Sequence, residues 1–228
     1  MCGRISQARD VMDYLRSMGM PDSAIFDYMP PPRRFNLSPG TDLVTMHALA
    51  GEQKADVLRW GYKTKWHESK KMPPTINATI EKSNSVFWSA LWKTGRAIVP
   101  ADGWYEWTGE KGDKQPWFIK RSDGEPVFIA ALTGRKPELQ DQEYGAGAAL
   151  LTTESAGGML DVHDRRPIVL TADDARIWID LTRPKDEIEE FVQNVALPTD
   201  SFEWYQVTWD VNKAGNQSPE APPSPVTA

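Results

Sequence analysis

Residues 95–107, Gly-Arg-Ala-Ile-Val-Pro-Ala-Asp-Gly-Trp-Tyr-Glu-Trp, hold two short apolar runs, 97–99 and 103–107, separated by three residues. Short runs rich in β-branched and aromatic residues and bounded by Gly, Pro or Asp read as strands. The same pattern recurs at 43–49, 57–62, 76–80, 117–120, 127–132, 148–153 and 168–170. Helical spacing is confined to a few places. Over 6–18, Val11, Met12 and Leu15 share a face, Ser6 offers a cap and Gly19 a left-handed stop. Over 84–92, Phe87 with Leu91 and Trp88 with Trp92 stand four apart, and 172–179 and 186–192 also read as helices. Strands cluster instead of alternating with helices, which predicts a single α+β domain with a largely antiparallel, barrel-like β core and peripheral helices. Turn residues mark 29–32 and 38–40. The segment 218–228, with four prolines and no period, reads as a disordered tail, which leaves 1–217 as the folded domain.

Composition narrows the function classes. Among 228 residues, 40% are apolar and 25% charged, enough to bury one substantial core. No run of about 18 apolar residues occurs, and the first twenty positions lack the basic, apolar, small-residue order of a secretion signal, so a cytosolic protein with no membrane partner is expected. The single cysteine, Cys2, excludes an internal disulfide, and with three histidines leaves little for structural zinc. No metal or other cofactor is expected. The net charge of −6 argues against a general nucleic-acid coat. Position alters that reading: 61–100 carries seven basic and two acidic residues, net +5, whereas 141–228 is net −10. The basic segment is either a face that attracts polyanions or a solvated lysine loop.

Four positions could carry chemistry. Initiator methionine is normally trimmed before a small residue, so Cys2 would present an α-amine and a thiol on adjacent carbons, both partly nucleophilic near neutral pH. The amine can form a Schiff base with an aldehyde, and the tethered thiol can then close a five-membered ring. The alternative is a small buried residue that happens to stand second. Asn77, inside the run 75–79, needs a hydrogen-bonding reason if it sits in a strand, or else marks a bulge. Glu106 is bracketed by aromatics. Pointing inward it would hold its proton near neutrality, although it could equally be an exposed carboxylate between buried rings, since a period of two places it with Trp104, opposite Tyr105 and Trp107. His163, in Asp161-Val162-His163-Asp164-Arg165-Arg166-Pro167, is either a proton shuttle beside phosphate-binding arginines or part of a surface salt-bridge cluster. Ten tryptophans are many for this length. Trp60, Trp66, Trp88 and Trp92 fall in or beside the basic segment, a combination suited to single-stranded nucleic acid, and Trp66, between Lys65 and His67, is the least core-like.

Taken together, MCGR at the start, RFNLSPG at 34–40, WGY at 60–62, INA at 76–78, GRAIVPADGWYEW at 95–107 and DVHDRRPIVL at 161–170 resemble the SOS response-associated peptidase (SRAP) family, in order from residue 2 to about 217. The resemblance implies a DNA-damage protein, expected as a monomer, that binds abasic sites in single-stranded DNA. There the N-terminal cysteine condenses with the ring-opened sugar aldehyde to a thiazolidine DNA–protein crosslink. By that resemblance Cys2 supplies amine and thiol, and Asn77 orients the cysteine or the sugar. Glu106 serves as general acid and base, and His163 assists the imine and meets the flanking phosphate. Arg4 and Arg165 contact phosphates, while Pro39, Trp66 and Trp107 pack against bases. One departure stands out: where the family commonly has Arg two residues after the strand asparagine, this chain has Thr79, with Lys82, Lys63 or Lys65 as replacements. Lyase-like Schiff-base chemistry and association with the nucleoid on damaged DNA would follow. The alternatives are a cysteine peptidase using its own α-amine as base and a non-covalent single-strand-binding module.

Overall fold

The computed structural model describes residues 2–25, 30–82, 85–110, 112–139 and 141–217; the expected tail at 218–228, the start of the 29–32 turn and the start of the 84–92 helix lie outside them. Thirteen strands and five α-helices follow along these residues in the order β1 (Ile5–Gln7), α1 (Val11–Met18), β2 (Arg34–Leu37), β3 (Asp42–His47), β4 (Lys54–Arg59), α2 (Lys65–Ser69), β5 (Asn77–Thr79), α3 (Val86–Thr94), β6 (Arg96–Ala101), β7 (Gly103–Thr108), β8 (Gln115–Arg121), β9 (Val127–Thr133), β10 (Ala148–Glu154), β11 (Arg165–Pro167), β12 (Val169–Leu170), α4 (Ala172–Ile179), α5 (Lys185–Val195) and β13 (Phe202–Gln206). They form two sheets. One runs β13-β8-β7-β1-β2, the other β11-β10-β9-β6-β3-β4, with β12 added beside β9 and β5 beside β10. All pairings between these named strands are antiparallel except β5 with β10, where Asn77 stands opposite Leu150. The α+β, barrel-like expectation holds, in the form of two facing sheets that do not close.

The stretch 95–107 is the corner between those sheets: β6 belongs to one and β7 to the other, with Asp102 at the bend. The Asp102 carboxylate accepts the Ala8 N–H (2.5 Å), Arg9 Nε (2.8 Å) and the Tyr14 hydroxyl (2.7 Å), fastening the N-terminal segment to the bend. Gly103 has no substitute there, because a Cβ would stand 2.2 Å from the Ile119 carbonyl oxygen. Strict alternation along β6 and β9 then divides the core. Ile98, Phe128, Ala130 and Leu132 face the helices, while Val99, Ala101, Val127, Ile129 and Ala131 face the second sheet with Cys2, Ile5, Trp60 and Trp104. Both faces of these central strands are therefore buried, which is why 127–132 reads as an unbroken apolar run. Each large side chain so buried stabilises the fold by about 1.5–3 kcal/mol.

One expectation is corrected. The first helix starts at Val11, capped by the Asp10 carboxylate on the Met12 N–H (3.0 Å), and Ser6 lies in β1. Gln7 explains the difference: its buried amide bridges Val44 O (2.9 Å), Val44 N (3.0 Å) and Pro100 O (2.7 Å). A polar side chain that substitutes for strand pairing leaves no hydrophobic period to read. The other end of α1 is as expected, with Gly19 left-handed at φ 72°. Arg96, counted in the basic segment, is buried and donates to the carbonyls of Trp178, Trp92 and Asp180. The charge that segment presents to solvent is accordingly smaller than its composition.

Candidate active site

Cys2 leads into β1 and is fully buried between the sheets. β1 pairs with β7 on one side, Ile5 opposite Trp104, and with β2 on the other, Ile5 opposite Leu37. Across from it, β5 presents Asn77, whose Nδ2 donates to the Cys2 carbonyl at 2.9 Å. This is the hydrogen-bonding reason that an asparagine in a strand requires. The Asn77 Oδ1 is buried and, among the described residues, accepts nothing, so one acceptor beside Cys2 is available for a donor.

Glu106 takes the inward face of β7 with Trp104, as a two-residue period requires, and is 3% exposed. The reading of Glu106 as an exposed carboxylate between buried rings is thereby excluded. Burial pushes its pKa up to about 8, so at neutral pH it holds a proton. Burial, and then the Glu106 charge, push the Cys2 thiol well above its usual range.

His163 stands between a 3-10 turn (Gly157–Asp161) and β11, with Nε2 3.9 Å from Glu106 Oε2. Its Nδ1 has two neighbours of opposite preference. The Arg165 N–H donates to it at 3.0 Å, while the Asp164 carboxylate, 2.7 Å away, would stabilise a protonated ring. Asp164 is largely exposed and screened by water, and burial lowers the His163 pKa. The ring is therefore neutral near pH 7, with Nδ1 toward Asp164 and the Arg165 N–H, and Nε2 toward Glu106.

Two clefts adjoin this group. The first, of about 540 Å³, is lined by Arg4, Glu106, Trp107, Lys114, His163 and Trp209. The second, of about 620 Å³, includes Trp66, Met72, Asn77, Thr79, Lys82 and Val86. Trp66 is half exposed, as its polar surroundings lead one to expect, whereas Trp60, Trp88 and Trp92 are core residues. Arg4 lies over the Trp107 ring, 5.6 Å from its centre, and donates to Asn36 Oδ1 (2.7 Å) and the Val211 carbonyl (2.8 Å). The Trp107 indole donates to Asn212 Oδ1 at 2.6 Å. Arg165 spans both Glu81 oxygens (2.9 and 3.0 Å) and reaches the Thr152 carbonyl, so its charge is already paired. Pro39 sits in the half-buried loop between β2 and β3, which Gly40 ties down by donating to the Trp60 carbonyl at 2.8 Å. Of the three lysines considered for the missing arginine, Lys82 lines the cleft with Thr79. Lys63 pairs with Glu68 at 3.5 Å, and both Lys63 and Lys65 lie by the Tyr144 ring.

The structure thus gathers Cys2, Asn77, Glu106 and His163, with Arg4, Trp107 and Trp66 on the adjoining walls. Sequence reasoning missed Lys114, Trp209 and Asn212. Trp209 carried the same signal as Trp66, a tryptophan in a polar, aperiodic stretch.

These features define a class, an α+β protein of two facing sheets with its second residue sealed at their junction. The fold is shared with the crystal structure of a phage-related protein from Bordetella bronchiseptica (TM-score 0.75, 36% identity, 90% of this chain and 94% of that one). The chain belongs to the SOS response associated peptidase family, whose model matches residues 1–214. Similar proteins include the abasic site processing protein YedK of Escherichia coli K12, 36% identical over 222 residues that cover 96% of this chain and 98% of that one. The abasic site processing protein HMCES of Xenopus tropicalis is 26% identical, over 75% of this chain and 57% of that one. Among the described residues no helix is long and apolar enough to cross a membrane.

Proposed function

We propose that this protein processes abasic sites in single-stranded DNA by forming a covalent thiazolidine between Cys2 and the ring-opened sugar. The observation that carries the reading is the convergence of Asn77, Glu106 and His163 on a sealed second-position cysteine. The names of its relatives give the lesion; the chemistry follows from the residues.

After removal of Met1, the Cys2 α-amine adds to C1 of the open-chain sugar, and loss of water gives an imine. Glu106, protonated at neutral pH, gives a proton to the ring oxygen and recovers one from the C1 hydroxyl as the sugar opens, then gives one to the carbinolamine hydroxyl that leaves as water and recovers one from the nitrogen. The Cys2 sulfur then bonds to C1, and the S–H proton ends on the ring nitrogen. The raised pKa of the thiol favours the amine as the first nucleophile, with the sulfur adding second, as an intramolecular step. Asn77 fixes the Cys2 backbone, and His163, neutral, steadies Glu106 and relays protons. Arg4, Lys82 and Lys114 provide local positive charge for phosphates, with Trp66, Trp107 and Pro39 against the bases. An isolated strand fits these half-open aromatic walls better than a stacked duplex.

Incubation with an abasic single-stranded oligonucleotide should give an adduct stable to heat on a denaturing gel, with a mass equal to both partners less one water. Cys2→Ala should form none. An adduct of equal yield from Cys2→Ala would exclude the mechanism, and peptide hydrolysis without DNA, lost in the same variant, would favour a peptidase.

A further inference from the structure

Trp209 opens a 3-10 turn (Trp209–Asn212) that three bonds hold in place. Val211 is buried against Tyr105 and Phe118, its carbonyl accepts from Arg4 (2.8 Å) and from Asn36 Nδ2 (3.2 Å), and the Asn212 side chain accepts the Trp107 indole N–H. Yet Trp209 itself is 51% exposed, on the wall of the cleft that Glu106 and His163 line. Among the described residues no aromatic ring and no cation packs against its indole. A large ring mounted on a fixed turn leaves half of its surface in water, on a cleft wall where a flat partner could cover it. Lys114, also exposed, shares that cleft, and Arg4 stands on the same wall.

The geometry points to Trp209 as the stacking platform for the nucleobase next to the lesion on the Glu106 side, with Lys114 meeting its phosphate. The inference rests on the abasic-site reading and deepens it by assigning a base-binding subsite. Trp66, with Lys82, lines the cleft that Asn77 borders, so each of the two clefts carries one exposed indole and one lysine. A strand drawn past Cys2 would find a ring for a base on either side. Stacking is indifferent to hydrogen-bonding edges but stronger for larger bases, so a purine at this neighbouring position binds better than a pyrimidine.

Three oligonucleotides test this, one with the abasic site in mid-strand and two with it at the 5′ or the 3′ end. Initial crosslinking rates at limiting DNA and non-covalent binding by fluorescence anisotropy are measured for the wild type, Trp209→Ala and Trp209→Phe, with thermal unfolding of each. Trp209→Ala should lose about tenfold on the mid-strand substrate, with Trp209→Phe recovering most of it. The defect should persist on one end-positioned substrate and vanish on the other, which lacks the stacking base, and the purine preference of the wild type should disappear. An equal loss on all three substrates would mean a structural effect, and no loss on any would mean an idle ring; either overturns the proposal. If the wild type forms no adduct at all, the crosslinking chemistry fails, and the same pattern in anisotropy still decides the role of Trp209.

Discussion

Glu106 separates a site from a surface in this protein. A carboxyl that binds its proton more tightly in the folded chain than in the unfolded one contributes stability at low pH and loses it as pH rises through the folded value, here about 8. Glu106→Gln should therefore remove a decline in stability between about pH 4.5 and about pH 8, seen as a flatter profile of unfolding midpoint against pH over that window. It should also slow adduct formation at pH 7 by roughly 10²-fold or more, the usual worth of a positioned acid, while leaving non-covalent affinity for the oligonucleotide nearly intact. Wild-type rates should fall above about pH 8 and the variant's should not. Equal losses of rate and of affinity would mark Glu106 as structural.

At the scale of elements, α2 is held by an uncommon cap. His67, buried, accepts the Thr64 N–H at Nδ1 (3.1 Å), and its Nε2 lies 2.9 Å from the Thr75 hydroxyl, so the one-and-a-half-turn helix that carries Trp66 is pinned to the strand side through an imidazole. A protonated Nδ1 cannot accept. Burial, and then Lys63, lower the His67 pKa, so its contribution to stability is present above the unfolded value of about 6.5 and is lost as pH falls through the lower folded one. His67→Ala should cost about 1–3 kcal/mol, because it leaves a buried N–H and a hydroxyl unpaired. Thermal unfolding at pH 7.5 measures this, and the difference from the wild type should shrink as the pH falls toward 5. The helix itself was not legible in the sequence: five residues with one buried side chain carry no period. By contrast 172–179 matches α4 residue for residue, since an apolar face and a Thr171 cap stand in order. The strands from 43 to 153 were legible for the same reason, with ends off by a few residues. β1, β2 and β13 were not, because Gln7 and Asn36 are buried through hydrogen bonds and Phe202–Gln206 is only partly covered.

Across the whole molecule, the N-terminus is the narrowest tolerance. Cys2 is positioned by β1, β1 by the corner at Asp102, and the far wall of the cleft by a C-terminal segment that Asn36 and Gln217 bind to β2. An uncleaved extension before Cys2 should thus abolish the adduct by converting the amine to an amide, while unfolding midpoints and single-strand affinity stay within about twofold of the trimmed protein; a fully active extended protein would refute the role of the amine. Individual site residues stood out in the sequence by type and context, but their convergence did not. Residues 2, 77, 106 and 163 come from the lead into β1, from β5, from β7 and from the approach to β11, and only the pairing of distant strands brings them to one place.

The sealed position of Cys2 bears on how such a protein waits. A thiol without solvent contact and with little thiolate is a poor target for peroxides and stray electrophiles. Under the proposed chemistry, its nucleophilicity would be withheld from other electrophiles and released only to a carbon already bound to the neighbouring nitrogen. Shelf life and selectivity would then have one origin, the burial that keeps a single-use reagent intact until its aldehyde arrives.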